Sequence, residues 1–181
     1  MGKMGFTFES ALPDVADEQT YLDGNDIEGS IQRLAHAKAR SVAEKNPGAL
    51  VLGADTIVYC EGAILGKPRD GAEGREMLHR LKGRAHTVYS GVALLCEDDR
   101  FSLTAVEKTI VVVRAIEDLE IEEYIDGRGY LDKAGAYAIQ DRAMVFISRI
   151  DGCYYNVVGL PIEKTISLFK AYVKRKEKID G

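Results

Sequence analysis

Three cysteines and three histidines are all that 181 residues hold, too few and too scattered for the sites these residues usually build. Cys60, Cys96 and Cys153 form no Cys-x-x-Cys pair, so they read as free, reduced thiols of a cytoplasmic protein. His36, His79 and His86 make no His-Glu-x-x-His pattern. That sets a zinc site aside, and a metal here would be a hard cation held by oxygen, magnesium or manganese. No apolar run is long enough to cross a bilayer, and Met1-Gly2-Lys3-Met4-Gly5 has no signal-peptide h-region. Positive charge is not in excess either. A net charge of -5 argues against a broad nucleic-acid-binding face, while a small anionic substrate needs only a few local cations.

What is present is ordinary for a soluble globular protein: 46% hydrophobic and 29% charged residues. The length predicts one domain, 1–181, with room for a sizeable core. Residues 50–58, Leu-Val-Leu-Gly-Ala-Asp-Thr-Ile-Val, read as a buried strand entered through Asn46-Pro47-Gly48. Asp55 sits in its middle, where a carboxylate is costly unless a cation, a metal or a proton compensates it. It either pairs with a basic residue as structure or serves chemistry, and the strand alone does not decide. Gly53 and Ala54 before it leave room for something to approach.

A helix from Asp26 or Ser30 to about Lys45 precedes that strand, with an apolar stripe at Ile27, Ile31, Leu34, Ala35 and Val42. Lys38 falls on this stripe, so it must snorkel outward or meet an anion. After the strand, Gly66-Lys67-Pro68 presents one ammonium from an extended loop. Residues 6–8 read as a short strand, and 11–26 as an acidic loop. Asp70 and Glu73 open a second helix that Gly83 ends. Residues 87–95 and 101–114 read as strands joined by a turn at 97–100, and 117–126 as a helix. A run of small residues covers 134–140, and 143–150 reads as an apolar strand. Pro161 starts a last helix with the stripe Ile162, Ile166, Phe169 and Val173, and the charged tail from Lys174 is expected to fray. Strands and helices without strict alternation predict an α/β or α+β domain with a mixed sheet.

Four motifs occur in order: Gly53-Ala54-Asp55-Thr56, Leu65-Gly66-Lys67-Pro68, Lys133-Ala134-Gly135-Ala136-Tyr137-Ala138-Ile139-Gln140, and Asn156-Val157-Val158-Gly159-Leu160-Pro161. Together they resemble the Maf family of nucleoside triphosphate pyrophosphatases, over nearly the whole chain. The resemblance implies an elongated mixed sheet with flanking helices around a central cleft, of the inosine triphosphate pyrophosphatase type. It implies hydrolysis of a nucleoside triphosphate to the monophosphate and pyrophosphate, with a divalent metal such as Mg2+ or Mn2+, and a homodimer. By matching positions, Asp55 is the implied proton acceptor and, with Glu18, lies near the metal. Lys38 and Lys67 face the phosphates. Thr56 and Gln140 select the base, in the pattern of the dTTP/UTP subgroup rather than the 7-methyl-GTP one. The family opens with a strand and a Ser-x-x-Arg-Arg loop ahead of the equivalent of Met4-Gly5-Phe6, and the sequence given starts after them. A shortened domain is therefore expected. The alternative functions are a catalytically impaired nucleotide-binding or regulatory protein linked to septum formation, and a 7-methyl-GTP pyrophosphatase.

Overall fold

The structure, a computed structural model, describes residues 7–180. Helix α1 (Ile27–Ala43) starts behind Asp26, whose carboxylate accepts the amide of Gly29 at 3.0 Å. There follow strand β1 (Val51–Cys60), β2 (Ala63–Leu65), α2 (Gly71–Leu81), β3 (Ala85–Cys96), β4 (Phe101–Val113), α3 (Asp118–Asp126), β5 (Ile147–Asp151), α4 (Tyr154–Val157) and α5 (Ile162–Asp180). The sheet runs β2-β1-β3-β4-β5. The α/β class expected from the sequence stands, but every described strand pairing is antiparallel. Tight turns at Glu61-Gly62 and between β3 and β4 make two of these pairings hairpins, which imposes the direction on those two. Among the described residues no helix is long and apolar enough to cross a membrane.

Helix α1 covers one face of the sheet, packing Ala35, Ala39 and Ala43 on Ala93 and Leu95. The opposite face carries two further clusters. One joins Val58, Val88 and Val111 to Leu78, Leu81 and Ile121. The other joins Val92, Leu94 and Phe101 to Leu168.

The approach of α1 to the sheet is set by two glycines. A Cβ on Gly53 would lie 2.6 Å from the carbonyl oxygen of Ala35, and one on Gly91 would lie 2.3 Å from that of Ile31. Backbone cannot yield there as a flexible side chain would. What approaches Gly53 is therefore the helix. Gly91 pairs in register with Asp55, so the closest approach of α1 falls beside the carboxylate. Gly91→Ala should destabilise the fold by about 2–3 kcal/mol through overpacking, read as a lowered midpoint in urea unfolding. An unchanged midpoint would contradict this account of helix placement.

Several local expectations are corrected. Phe6 lies outside the described residues, and Thr7 and Phe8 form no strand. The apolar run from Ala143 does not begin a strand. Arg142–Phe146 is a 3-10 turn, with Met144 and Val145 exposed, and β5 starts only at Ile147. The tail is not frayed at Lys174, because α5 continues to Asp180. Lys176 Nζ lies 2.8 Å from Asp99 Oδ1, and Arg175 donates to the Asp99 carbonyl at 3.0 Å. Those contacts fasten the helix to the β3–β4 turn. They also rotate its inner side to Thr165 and Leu168, leaving Val173 exposed.

Candidate active site

Lys38 is carried to the sheet by the close packing of α1. Its Nζ lies 2.5 Å from Asp55 Oδ1 and 2.7 Å from Glu18 Oε1. Glu18 comes from a 3-10 turn, Glu18–Tyr21, capped by Asp17. The Lys38 and Asp55 side chains are only 13% and 17% exposed, so the lysine meets anions rather than snorkelling. Burial raises the Asp55 carboxyl above its ordinary value of 3.8, with the Lys38 hydrogen bond and charge opposing. Burial works against the charged Lys38 ammonium, yet its bonds to Asp55 and Glu18 outweigh that and hold it above its ordinary value. The pair thus keeps a carboxylate of enhanced basicity beside a firmly protonated amine.

A cavity of about 310 Å³ borders Asp55. Lys67 lines it from the loop after β2, Thr56 from β1, and Gln140 and Lys133 from the segment after α3. Alternation along β1 sends Asp55 to the α1 face and Thr56 to the other, yet both border the cavity. β2 pairs with β1 only from Val58 onward, so at Asp55 no described strand lies beyond β1 and the cavity can follow that edge. The far wall is fixed by the Gly135 amide, which donates to the Gly66 carbonyl at 3.0 Å. Gly135 itself sits at φ 68°, with Val58 3.0 Å from where a Cβ would be, and only glycine meets both demands. Asp55, Thr56, Lys67 and Gln140 therefore share one cavity, while Lys38 and Glu18 stand behind Asp55.

Sequence reasoning missed the layer beneath. His86 Nε2 bonds the Tyr137 hydroxyl at 2.7 Å, and Tyr137 lines the cavity. Asn156 is fully buried, its Nδ2 donating to the Val88 carbonyl and to Thr109 Oγ1, both at 3.0 Å. Ser90, also fully buried, lies 2.7 Å from Thr56 Oγ1. Only Tyr137 and Asn156 stood within a motif, and nothing local in the sequence marks His86 or Ser90.

Burial lowers the His86 pKa to about 4, whereas an unfolded histidine protonates near 6.5. A depressed folded value means stability that is present above pH 6.5 and lost as pH falls toward 4. We expect His86 to account for about 3 kcal/mol of that loss. Urea unfolding at pH 7 and pH 4.5 should show the wild type losing more stability on acidification than His86→Gln. Equal losses would contradict the burial of a neutral imidazole.

The comparisons agree with the motif order. A sequence model described as Maf-like protein matches residues 1–172. A Symbiobacterium thermophilum protein named dTTP/UTP pyrophosphatase is 44% identical over 170 residues, covering 94% of this chain and 86% of the relative. A Salinibacter ruber protein of that name is 47% identical over 143 residues, covering 78% and 70%. One from Bacillus cereus is 42% identical over 169 residues, covering 93% and 81%.

Proposed function

The chain belongs to the Maf-like proteins, and from that premise we propose that it is a nucleoside triphosphate pyrophosphatase acting on dTTP and UTP. The observation that carries this reading is the meeting of Asp55, Lys67, Thr56 and Gln140 around one cavity, with Lys38 locked on Asp55. That set has a base, a cation for phosphate, and hydrogen-bonding groups for a nucleobase.

In this reading Asp55 takes a proton from the attacking water. Lys38 holds Oδ1 and so fixes the carboxylate, leaving Oδ2 to receive the proton. Burial makes that oxygen a better base than an exposed carboxylate. A P–O bond of the α–β bridge breaks, the water oxygen takes its place on phosphorus, and the monophosphate and pyrophosphate separate. Lys67, on the cavity wall, neutralises phosphate charge. The Gln140 amide offers both a donor and an acceptor to a pyrimidine edge.

A divalent ion fits the residues present. Glu18 and Asp55 each meet Lys38 through one carboxylate oxygen, and each has a second oxygen to offer an ion. Among the described residues no group of three or more His, Cys, Asp or Glu forms a complete metal cage. Two carboxylates completed by water and substrate phosphates is how Mg2+ is commonly held. Glu18 and Asp55 would hold the ion, which would supply charge neutralisation on the phosphates when bound.

The test is product analysis on a nucleotide panel with Mg2+ or Mn2+. Monophosphate and pyrophosphate from dTTP and UTP support the proposal. Orthophosphate release, preference for 7-methyl-GTP, or binding without turnover would overturn it.

A further inference from the structure

Thr56 borders the cavity, but what its hydroxyl can offer a ligand depends on where its one hydrogen points. That is decided by a buried chain of oxygens. Ser90 Oγ lies 3.0 Å from the main-chain carbonyl oxygen of Asn156 and 2.7 Å from Thr56 Oγ1. A carbonyl has no hydrogen to give, so the 3.0 Å hydrogen bond between Ser90 and Asn156 is donated by Ser90. The Ser90 hydrogen must therefore lie on the Asn156 carbonyl. Ser90 is then an acceptor toward Thr56, and the short Thr56–Ser90 contact is made by the Thr56 hydrogen. The competing acceptor for that hydrogen, the Gly159 carbonyl, is 3.5 Å away. The opposite polarity would set the Ser90 and Asn156 lone pairs against each other and leave Thr56 only this long bond.

The Asn156 carbonyl that begins the chain does not move freely. The Asn156 side chain is tied to Val88 and Thr109, and its carbonyl also accepts the Gly159 amide at 2.9 Å. The polarity is thus set from a fully buried anchor outward to the cavity wall.

We infer that Ser90 is a positioning residue for base selection: it consumes the Thr56 hydrogen, so that Thr56 faces the cavity as a hydrogen-bond acceptor only. An acceptor-only wall suits a nucleobase carrying a ring N–H between two carbonyls, as uracil and thymine do. Placed opposite that ring N–H, as this inference has it, Thr56 opposes cytosine, whose corresponding ring nitrogen is itself an acceptor. This inference rests on the pyrimidine triphosphatase reading above and adds what favours UTP over CTP and which residue enforces that preference.

The experiment measures kcat/KM for UTP and CTP on the same sample, so that the ratio is independent of how much of a variant is folded. Wild type, Ser90→Ala, Thr56→Val and the double variant are compared. Freed of Ser90, Thr56 can turn its hydrogen toward cytosine, and the UTP-to-CTP ratio should fall about tenfold in Ser90→Ala, the loss of one directed hydrogen bond. In the Thr56→Val background, Ser90→Ala should leave the ratio where it is, because Ser90 acts through Thr56. An unchanged ratio in Ser90→Ala, or an equal drop in both backgrounds, overturns the inference while leaving the pyrophosphatase reading standing. A wild type that releases no pyrophosphate from UTP or dTTP overturns both.

Discussion

Asp55→Asn is expected to lower kcat for dTTP and UTP by about 10²–10⁴-fold, the usual worth of a positioned general base. Asparagine keeps the shape and an oxygen that can still accept from Lys38 Nζ, now 2.5 Å from the carboxylate. The substitution therefore takes away the proton-accepting charge with little change to the packing of α1 on β1. Thermal unfolding of the variant, run beside steady-state pyrophosphate release, separates the two effects. A folded Asp55→Asn protein with near-wild-type turnover would remove Asp55 from the chemistry and leave the pair as structure only.

The second large effect concerns the lysine. Lys38→Met leaves the Asp55 and Glu18 carboxylates facing one side without the ammonium that both now bind. Removing one partner of a buried pair strands the other charge, which costs roughly 3–5 kcal/mol when the pair is sealed from water. Here Glu18 is half-exposed, so a loss of about 2–3 kcal/mol at neutral pH is expected. Its pH dependence follows from the direction of the Asp55 shift. Burial already raises that carboxyl, and Lys38 is what opposes the rise. Without Lys38 the folded value moves further up. A raised carboxyl contributes stability that is full below its unfolded value and lost as pH rises through its folded one. The deficit of Lys38→Met should therefore be largest near pH 7 and shrink as the pH approaches 4. Urea unfolding across that range reads it, and a deficit that stays constant with pH would show that Lys38 acts by packing alone.

The sequence made the main elements of this site legible because their signals are local. The stripe of α1 placed Lys38 where it must snorkel outward or meet an anion, and Asp55 in a branched apolar strand needed a cation, a metal or a proton. Each raised a question that the other answers. The partnership itself was not local. It depends on Gly53 and Gly91 lowering α1 onto the sheet, and Gly91 stands in a strand with no motif around it. Ser90 was invisible for the same reason: its partners Thr56 and Asn156 come from distant parts of the chain and meet only once β1, β3 and α4 are assembled. The run Met144-Val145-Phe146-Ile147 misled because a short apolar stretch does not distinguish a strand from a turn that buries one side chain in three. Phe146 is buried there while Met144 and Val145 face outward. Val173 misled in a similar way. The stripe pattern was right in period, but Asp99 at the β3–β4 turn, not the stripe, sets which side of α5 faces in.

The acid limb of kcat/KM for UTP, measured side by side in wild type and Lys38→Met, bears most directly on the claim that Asp55, poised by Lys38, is the proton acceptor. Lys38 opposes the rise of the Asp55 carboxyl, so at one fixed metal concentration the limb of Lys38→Met should lie at higher pH than that of the wild type. A limb that stays in place when the lysine is removed would contradict it.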